Sequence, residues 1–213
     1  MIRRLGRILY NPVAFYRDMA EGAWADGAIW MVLLVSLVGA VSTYAVTLPQ
    51  LQAFGEDAAL GPFLLWSAVI FAFFASFIGW LVLGLVVRMT AGMDAKPWAV
   101  VAYAAAPRLV LELIPAAVVL LVSVEVTPIE AAPDGEGFSD ALLRLQQEVG
   151  SSPVGITSLI TTYLARAWQL ALIYIGLRET SDASKALRSV VVIALLYGFV
   201  LAFPWLFGPL QGA

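Results

Sequence analysis

The sequence contains no cysteine and no histidine. Without a thiolate or an imidazole, the chain cannot build disulfides, structural zinc sites, Ser-His-Asp triads or histidine-ligated haem from its own residues. Charge is also scarce, since 13% of the 213 residues are charged, against about 25% in ordinary soluble domains. Hydrophobic residues make up 62% of the chain. This composition indicates a membrane protein, and we expect no catalytic activity, no metal site and no cofactor.

Five apolar runs are each long enough to cross a hydrocarbon core of about 30 Å, which takes roughly 20 helical residues. Their lengths favour helices over barrel strands. The predicted spans are residues 28–48, 62–87, 98–124, 154–177 and 190–207. We therefore predict an all-α fold, in which residues 23–213 form a bundle of five transmembrane helices and residues 1–22 form a separate N-terminal segment.

The basic residues predict the orientation of this bundle. The N-terminal segment has four, and the second and fourth connections have two and three, whereas the connections on the other side have only Arg144. Connections rich in Lys and Arg stay in the cytoplasm. We expect a multi-pass protein of the cell (cytoplasmic or inner) membrane, with its N-terminus in the cytoplasm and its C-terminus outside.

The N-terminal segment combines apolar and basic residues at helical spacing. The apolar residues lie near one face and the basic ones largely on another: Ile2, Leu5 and Leu9 against Arg3, Arg4 and Arg7. Basic amphipathic helices of this kind lie among the headgroups of anionic leaflets. A cleavable signal peptide is the alternative, but its apolar core should follow the basic residues directly, and here it does not. We predict a helix at the membrane surface.

The third predicted span carries Pro107, Arg108, Glu112 and Pro115. Proline cannot donate a backbone hydrogen bond and disfavours helix at the preceding residue, so the span is either continuous or broken at Pro107. In a continuous helix Arg108 lies near the midplane, and in a broken one it lies at the interface and extends its guanidinium to the headgroups. Arg108 and Glu112 share a helical face in both cases.

Arg166 in the fourth predicted span is the other charge within the bundle. Charged side chains in a span cost about 2.5 to 3.5 kcal/mol each on insertion scales, and they usually face one another or an aqueous cavity. If the third span is continuous, Glu112 and Arg166 lie at similar depths. The sequence then predicts an intramembrane cluster of Arg108, Glu112 and Arg166.

Small residues recur every four positions in the second predicted span, at Ala68, Ala72 and Ser76. Such spacing lets helices approach closely. A packing seam within one chain is favoured over a dimer interface, because the pattern is common in membrane helices.

The connection at residues 125–153 carries six acidic residues against one basic residue. Its apolar residues repeat at helical spacing: Phe138, Leu142, Leu145 and Val149. They predict an amphipathic helix over the outer mouth of the bundle. The turn PDGEG at 133–137 is read as a solvated acidic turn, because a calcium loop needs about six oxygen ligands at set spacing.

Three stretches resemble those by which prokaryotic members of the Yip1 family are recognised. They are NPVAFYRDMAEG at 11–22, AYAAAP at 102–107 and RAWQLALIYIGLRETSDASKAL at 166–187. The resemblance covers nearly the whole chain and implies five spans with a cytoplasmic N-terminus. Eukaryotic members are similar to trafficking factors that bind prenylated Rab-type GTPases. The chain lacks their DLYGP-type motif and has Ala102 where a glycine often precedes the tyrosine, here Tyr103, which argues against a GTPase partner.

These features favour a non-enzymatic scaffold, assembly factor or accessory subunit that organises other membrane components. Its expected partners are the lipid bilayer and other membrane proteins or further copies of itself, and not nucleic acid. The alternative is a small transporter or channel that uses Arg108, Glu112 and Arg166. In that alternative Pro107 and Pro115 supply the interrupted helix that transporters place at their sites. An enzyme is less favoured, since Glu112 alone is a poor catalytic set.

Overall fold

The structure is a computed structural model that describes residues 2–22, 27–51, 53, 60–129 and 137–207. Regular secondary structure within these residues is entirely helical, which confirms the all-α class. The helices are α1 (Ile2–Tyr10), α2 (Pro12–Ala20), α3 (Ala28–Leu51), α4 (Leu60–Ala91), α5 (Pro97–Ala104), α6 (Arg108–Leu111), α7 (Leu113–Leu121), α8 (Phe138–Ser151), α9 (Pro153–Thr180) and α10 (Ala183–Phe207). Most of the acidic turn at 133–137 lies outside the described residues.

Four stretches of the described chain are long and apolar enough to cross a membrane. They are Ala28–Leu51, Gly61–Ala91, Pro97–Leu121 and Ala183–Val200. The protein is therefore a multi-pass membrane protein. The predicted fourth span, 154–177, is helical within α9 but is not one of the four. Threonines, Arg166 and Gln169 make α9 less apolar than the other long helices, so the count of five spans stays a prediction.

The third predicted span is interrupted at Pro107. Helix α5 ends at Ala104 and α6 begins at Arg108, and the N–H groups of Ala105 and Ala106 donate to carbonyls three residues back, at 3.3 and 3.0 Å. A second interruption follows at Glu112, where the missing N–H of Pro115 leaves the Leu111 carbonyl without its usual partner. The breaks lie in the hydrogen-bonding pattern, because Pro107 and Glu112 both keep right-handed helical dihedral angles.

The chain divides into two compact units. The first unit comprises Met1–Met31, Gly79–Ala106 and Ala167–Ala213, and the second comprises Val32–Ile78 and Pro107–Arg166. The division falls within α3, α4 and α9 and at the Pro107 interruption. Each unit has a core of its own, and each is described separately here.

The core of the first unit brings together side chains of α2, α5 and α9. From α2, Phe15 packs edge-on against the ring of Tyr103 at 4.9 Å between centroids, and the Tyr16 hydroxyl donates to the Val100 carbonyl at 3.4 Å. Burial raises the pKa of Tyr16 well above its ordinary value, and the neighbouring Tyr103 adds to this effect. From α9, Gly176 leaves no room for a side chain, since a Cβ there would lie 2.8 Å from Val100 and 2.9 Å from Tyr16.

Lys96 holds α2 against the start of α5. Its ammonium donates to the carbonyls of Met19 and Ala20, at 2.5 and 3.1 Å, and these groups lie at the end of α2, where helical partners run out. Lys96 is the one non-glycine residue of the described chain with a positive φ, at 49°. A left-handed backbone costs about 1 to 2 kcal/mol for such a residue, and the two bonds offset that cost.

A capping residue, Asp182, explains where α10 begins. The Asp182 carboxylate accepts a hydrogen bond from the Lys185 backbone N–H at 2.9 Å, which lowers the pKa of Asp182. Because the cap stands before Ala183, α10 begins earlier than the predicted span at 190.

The second unit contains the amphipathic helix predicted in the acidic connection, which is α8. Leu145 and Val149 are buried in a small cluster with Ala53, and Val126 and Ile129 pack against it. The Glu148 carboxylate accepts hydrogen bonds from the backbone N–H and the hydroxyl of Thr127, at 3.0 and 2.8 Å. These contacts tie α8 to the extended segment after α7. A position over the outer mouth of the bundle stays a prediction.

We predict that the contact between Thr127 and Glu148 weakens in acid. The Thr127 backbone N–H, with its hydroxyl second, holds the pKa of Glu148 below its ordinary value of 4.5. A carboxylate whose pKa is lowered by folding stabilises the folded state above its ordinary pKa, and that contribution is lost as the pH falls through the lowered value. We therefore expect hydrogen exchange at the Thr127 amide to lose protection as the pH falls below about 4.5.

The matched control is Glu148→Gln, whose side chain does not titrate. The Thr127 amide of that variant should show only the ordinary pH dependence of exchange. Identical protection profiles in the two proteins would contradict the assignment.

Candidate functional site

The predicted pair of Arg108 and Glu112 forms in the second unit. The Arg108 Nε lies 2.6 Å from the Glu112 Oε1, four residues further along the chain. Both side chains are mostly buried, with 26% and 20% of their surface exposed. Ion pairs buried to this degree need hydrogen bonds to their remaining polar atoms, because desolvation is costly.

Helices α3 and α4 supply the surroundings of this pair. The Arg108 Nη2 donates to the Ser76 hydroxyl on α4 at 3.1 Å. On α3, a Cβ at Gly39 would lie 3.1 Å from the Glu112 Oε2, tighter than an ordinary contact. Small residues therefore let both helices approach the charged pair. For Ser76, this contact supports the packing seam within one chain that its four-residue spacing predicts.

Two polar atoms of the second unit are buried and have no partner among the described residues. They are the Glu112 Oε2 and the Ser36 hydroxyl oxygen. Ser36 lies one turn before Gly39 on the same side of α3, and the Glu112 Oε2 faces Gly39. Unsatisfied buried oxygens usually have a water, an ion or a proton as partner. The Glu112 Oε2 and the Ser36 hydroxyl oxygen can therefore each accept a hydrogen bond from a water.

The other predicted site residues take different positions. Arg166 is half-buried in α9 and has an interaction of its own, and its membership in a cluster with Arg108 and Glu112 stays a prediction. Pro107 and Pro115 are both buried, each at an interruption of the third span. Within the described residues, no three carboxylates come together as a metal site would require.

The predicted surface arginines of α1 are partly engaged by the protein. Arg7 forms an ion pair with Asp18 at 2.5 Å, Arg4 donates to the Tyr103 hydroxyl at 3.5 Å, and Arg3 is exposed. Ile8, one turn after Arg4 on the same face of α1, is completely buried. Helix α1 thus packs on the first unit through Ile8, which the sequence analysis did not single out, and its place at the membrane surface stays a prediction.

A cavity of about 180 Å³ lies beside Arg4 in the first unit. It is lined by Arg4, Gly27, Trp30, Met31 and Tyr103. Sequence reasoning missed it, because Arg4 and Tyr103 are 99 residues apart. No spacing rule connects residues at that distance.

We predict that Glu112→Gln destabilises the protein, because it leaves the Arg108 charge without its counter-ion. The expected loss is about 3 kcal/mol of unfolding free energy, the lower end for a broken buried pair. The double variant Arg108→Gln with Glu112→Gln should recover most of this loss, since no isolated charge remains. Unfolding in mixed detergent micelles with increasing dodecyl sulfate, followed by circular dichroism, measures both.

Two serines of α4 provide a matched control. Ser76→Ala should cost about 1.5 kcal/mol, since it removes a hydrogen bond to a charged group. Ser67→Ala should cost little, because Ser67 is exposed and bonds only to carbonyls of its own helix among the described contacts. Equal effects of the two serine variants would contradict the role given to Ser76.

Comparisons with known proteins agree with the sequence resemblance. The family model described as the Yip1 domain matches residues 6–207, nearly the whole chain. No curated protein and no solved structure matches the chain significantly. The match covers both units, including the Arg108 and Glu112 pair. The chain belongs to the Yip1 family.

Proposed function

We propose that the protein is a non-enzymatic scaffold, assembly factor or accessory subunit that organises other membrane proteins. The observation that carries this proposal is the exposed surface of α4. Only 11% of the most apolar window of this helix is buried within the chain, against 39% for the first span. A long apolar helix with so little packing against its own chain offers its surface to lipid and to other membrane helices.

The part of α4 that belongs to the second unit carries large exposed side chains. Six of them expose more than half of their surface: Phe63, Trp66, Ile70, Phe71, Phe74 and Ile78. In a bilayer, helices associate through close packing of side chains and not through water exclusion. Rigid aromatic and branched side chains provide such packing with little loss of rotamer freedom, and we assign this face to helices of other membrane proteins.

Polar groups of the spans support the same proposal, because they bond to one another. The Tyr197 hydroxyl donates to the Gln169 side chain at 3.2 Å, and the hydroxyls of Thr90 and Ser189 lie 2.6 Å apart. Polar residues in such internal pairs stabilise helix packing. They therefore serve the fold, and the outward apolar surface remains for partners.

The proposal includes a topology with five spans. Helix α9 has 28 residues, and at 1.5 Å per residue its length is about 42 Å, enough to cross a bilayer. With α9 as the fourth crossing, the basic connections fall on one side. That places the N-terminus and the interfacial α1 in the cytoplasm and the C-terminus outside a cell (cytoplasmic or inner) membrane.

We predict that the α4 surface contacts other membrane polypeptides in the native membrane. A photo-crosslinking amino acid at Phe71, which is 74% exposed, should give adducts with heterologous membrane proteins. Extraction in a gentle detergent, followed by native mass determination and subunit identification, should give a species that contains those proteins together with the 22.9 kDa chain.

The matched control is the same amino acid at Leu159, an exposed position of α9 in the same unit. It should give markedly fewer protein adducts. Adducts with lipid alone at Phe71, together with species that contain only multiples of this chain, would contradict the proposal.

A small transporter is the second candidate, and the unpartnered Glu112 Oε2 is the observation that favours it. A buried carboxylate oxygen can carry a proton between two sides of a bundle. If this function holds, the protein should speed pH equilibration across proteoliposomes, and Glu112→Gln should abolish that effect while Ser67→Ala leaves it unchanged. If the protein is a scaffold, liposomes that contain the unchanged protein, Glu112→Gln or Ser67→Ala should all equilibrate their pH at the rate of protein-free liposomes.

A further inference from the structure

The segment that follows α7 in the second unit has the sequence pattern of a β-strand. Residues 122–127 have the sequence VSVEVT, with valine at every second position. The backbone at Val122 is extended, with φ −128° and ψ 125°. Val124 and Val126 are half-buried, and the residues that alternate with them are exposed: Ser123, Glu125 and Thr127. Side chains alternate in this way along a strand, yet the segment has no strand partner among the described residues.

One edge of this segment is already bonded within the second unit. The Thr127 backbone N–H donates to the Glu148 carboxylate on α8 at 3.0 Å, and the Ile129 N–H donates to the Ala53 carbonyl at 2.6 Å. Thr127 and Ile129 are two residues apart, so in an extended chain their N–H groups point to the same edge. That edge therefore faces α8 and Ala53.

The opposite edge is open for pairing. It presents the N–H and C=O groups of Val124 and Val126, and none of these four groups has a hydrogen-bond partner among the described residues. The edge is short on both sides, because the Val122 N–H is bonded to the Val118 carbonyl at 2.9 Å and Pro128 has no N–H. Proline is tolerated on edge strands. A row of unpaired backbone groups is a template for one further strand.

Charge decides which strand fits this edge. Glu125 is exposed between the two valines. An antiparallel pair with a second copy that uses all four groups places Val124 opposite Val126 of that copy, which puts Glu125 directly opposite itself. Like charges directly opposite each other destabilise a strand pair, whereas opposite charges stabilise it. A strand with lysine or arginine at that position is therefore favoured over a second copy.

We propose that this edge binds an extended basic segment of a partner membrane protein. The partner strand pairs antiparallel with residues 123–127 and places a lysine or arginine opposite Glu125. The proposal names the kind of partner that the scaffold organises, and it rests on that proposed function. In the topology with five spans, the edge lies on the outer side, directly after α7 ends at Leu121. A partner segment that adjoins its own span reaches it there.

Binding of two model peptides to the purified full-length protein in detergent tests this proposal. One peptide alternates valine and threonine around a central lysine, and the other has glutamate in place of that lysine. Fluorescence anisotropy measures their affinities. We expect the lysine peptide to bind about fivefold more tightly, which corresponds to about 1 kcal/mol for a favourable against an unfavourable cross-strand pair. It should also protect the Val124 and Val126 amides from hydrogen exchange.

Charge reversal at the edge provides the sharpest variant. Glu125→Lys should reverse the preference, so that the glutamate peptide binds more tightly. The matched control is Asp140→Lys, the same charge change at an exposed position of α8 in the same connection, and it should leave the lysine peptide favoured. A lysine peptide that is N-methylated on the two residues beside its lysine lacks the donors for strand pairing and should lose its binding.

Three results would overturn the proposal. Equal effects of Glu125→Lys and Asp140→Lys would show attraction to the negative charge of the connection alone. Undiminished binding of the N-methylated peptide would exclude strand pairing. A dimer of the protein alone, with the Val124 and Val126 amides protected in the absence of peptide, would assign the edge to a second copy.

Failure of this proposal and failure of the scaffold function give different results. Protein adducts at Phe71 without any peptide binding would keep the scaffold function and exclude this edge as its partner site. Peptide binding without heterologous adducts at Phe71 would contradict the scaffold function, and with it the assignment of a membrane protein as the partner.

Discussion

The fold depends on one constraint, which is that polar groups inside a bilayer must find partners within the protein. Within the described residues, hydrogen bonds and ion pairs meet this constraint for several groups, while the Glu112 Oε2 and the Ser36 hydroxyl oxygen have no partner. Arg108 bonds to Glu112 and Ser76, and the Trp80 indole donates to the Trp98 carbonyl at 2.9 Å. The bonds from Arg108 to Ser76 and from Trp80 to Trp98 each bring two helices close together. Small residues therefore stand where the pairs form, as Gly39 does beside Glu112 and Gly84 does beneath the Trp98 ring.

A second constraint is that the short N-terminal helices need contacts with the rest of the protein to be stable. Helix α2 is too short to be stable alone in water, and its apolar residues are buried against α5 and α9. Lys96 adds its ammonium at the carbonyl end of α2, and Arg17 pairs with Glu179 at 3.2 Å on the other side. The left-handed backbone of Lys96 directs its charged side chain to the end of α2. A glycine could adopt the same backbone conformation, but it has no side chain that could reach these carbonyls. Anchoring of α2 thus explains why a strained backbone falls on a lysine.

Local features of this fold could be predicted from the sequence. Helix α8 has the predicted amphipathic pattern, and the interruption at Pro107 is one of the two arrangements that the sequence allowed, because each of these depends on neighbours within a few residues. Contacts between distant residues could not. Ser76 contacts Arg108 from 32 residues away. The sequence of α4 contains several small residues, and nothing in it shows which one contacts Arg108.

The fourth predicted span shows why apolar content alone does not decide a crossing. Helix α9 contains Arg166, and its buried polar residues Thr161 and Gln169 interact within the protein. Thr161 bonds to carbonyls of its own helix, whereas Gln169 accepts a hydrogen bond from Tyr197 on α10, so the cost of Gln169 to an isolated helix in lipid is offset inside the fold. A hydropathy average counts that cost and not the partners. Helix α9 therefore has the length of a span, and in the proposed topology with five spans Gln169 reaches its partner Tyr197 only when α9 and α10 lie side by side.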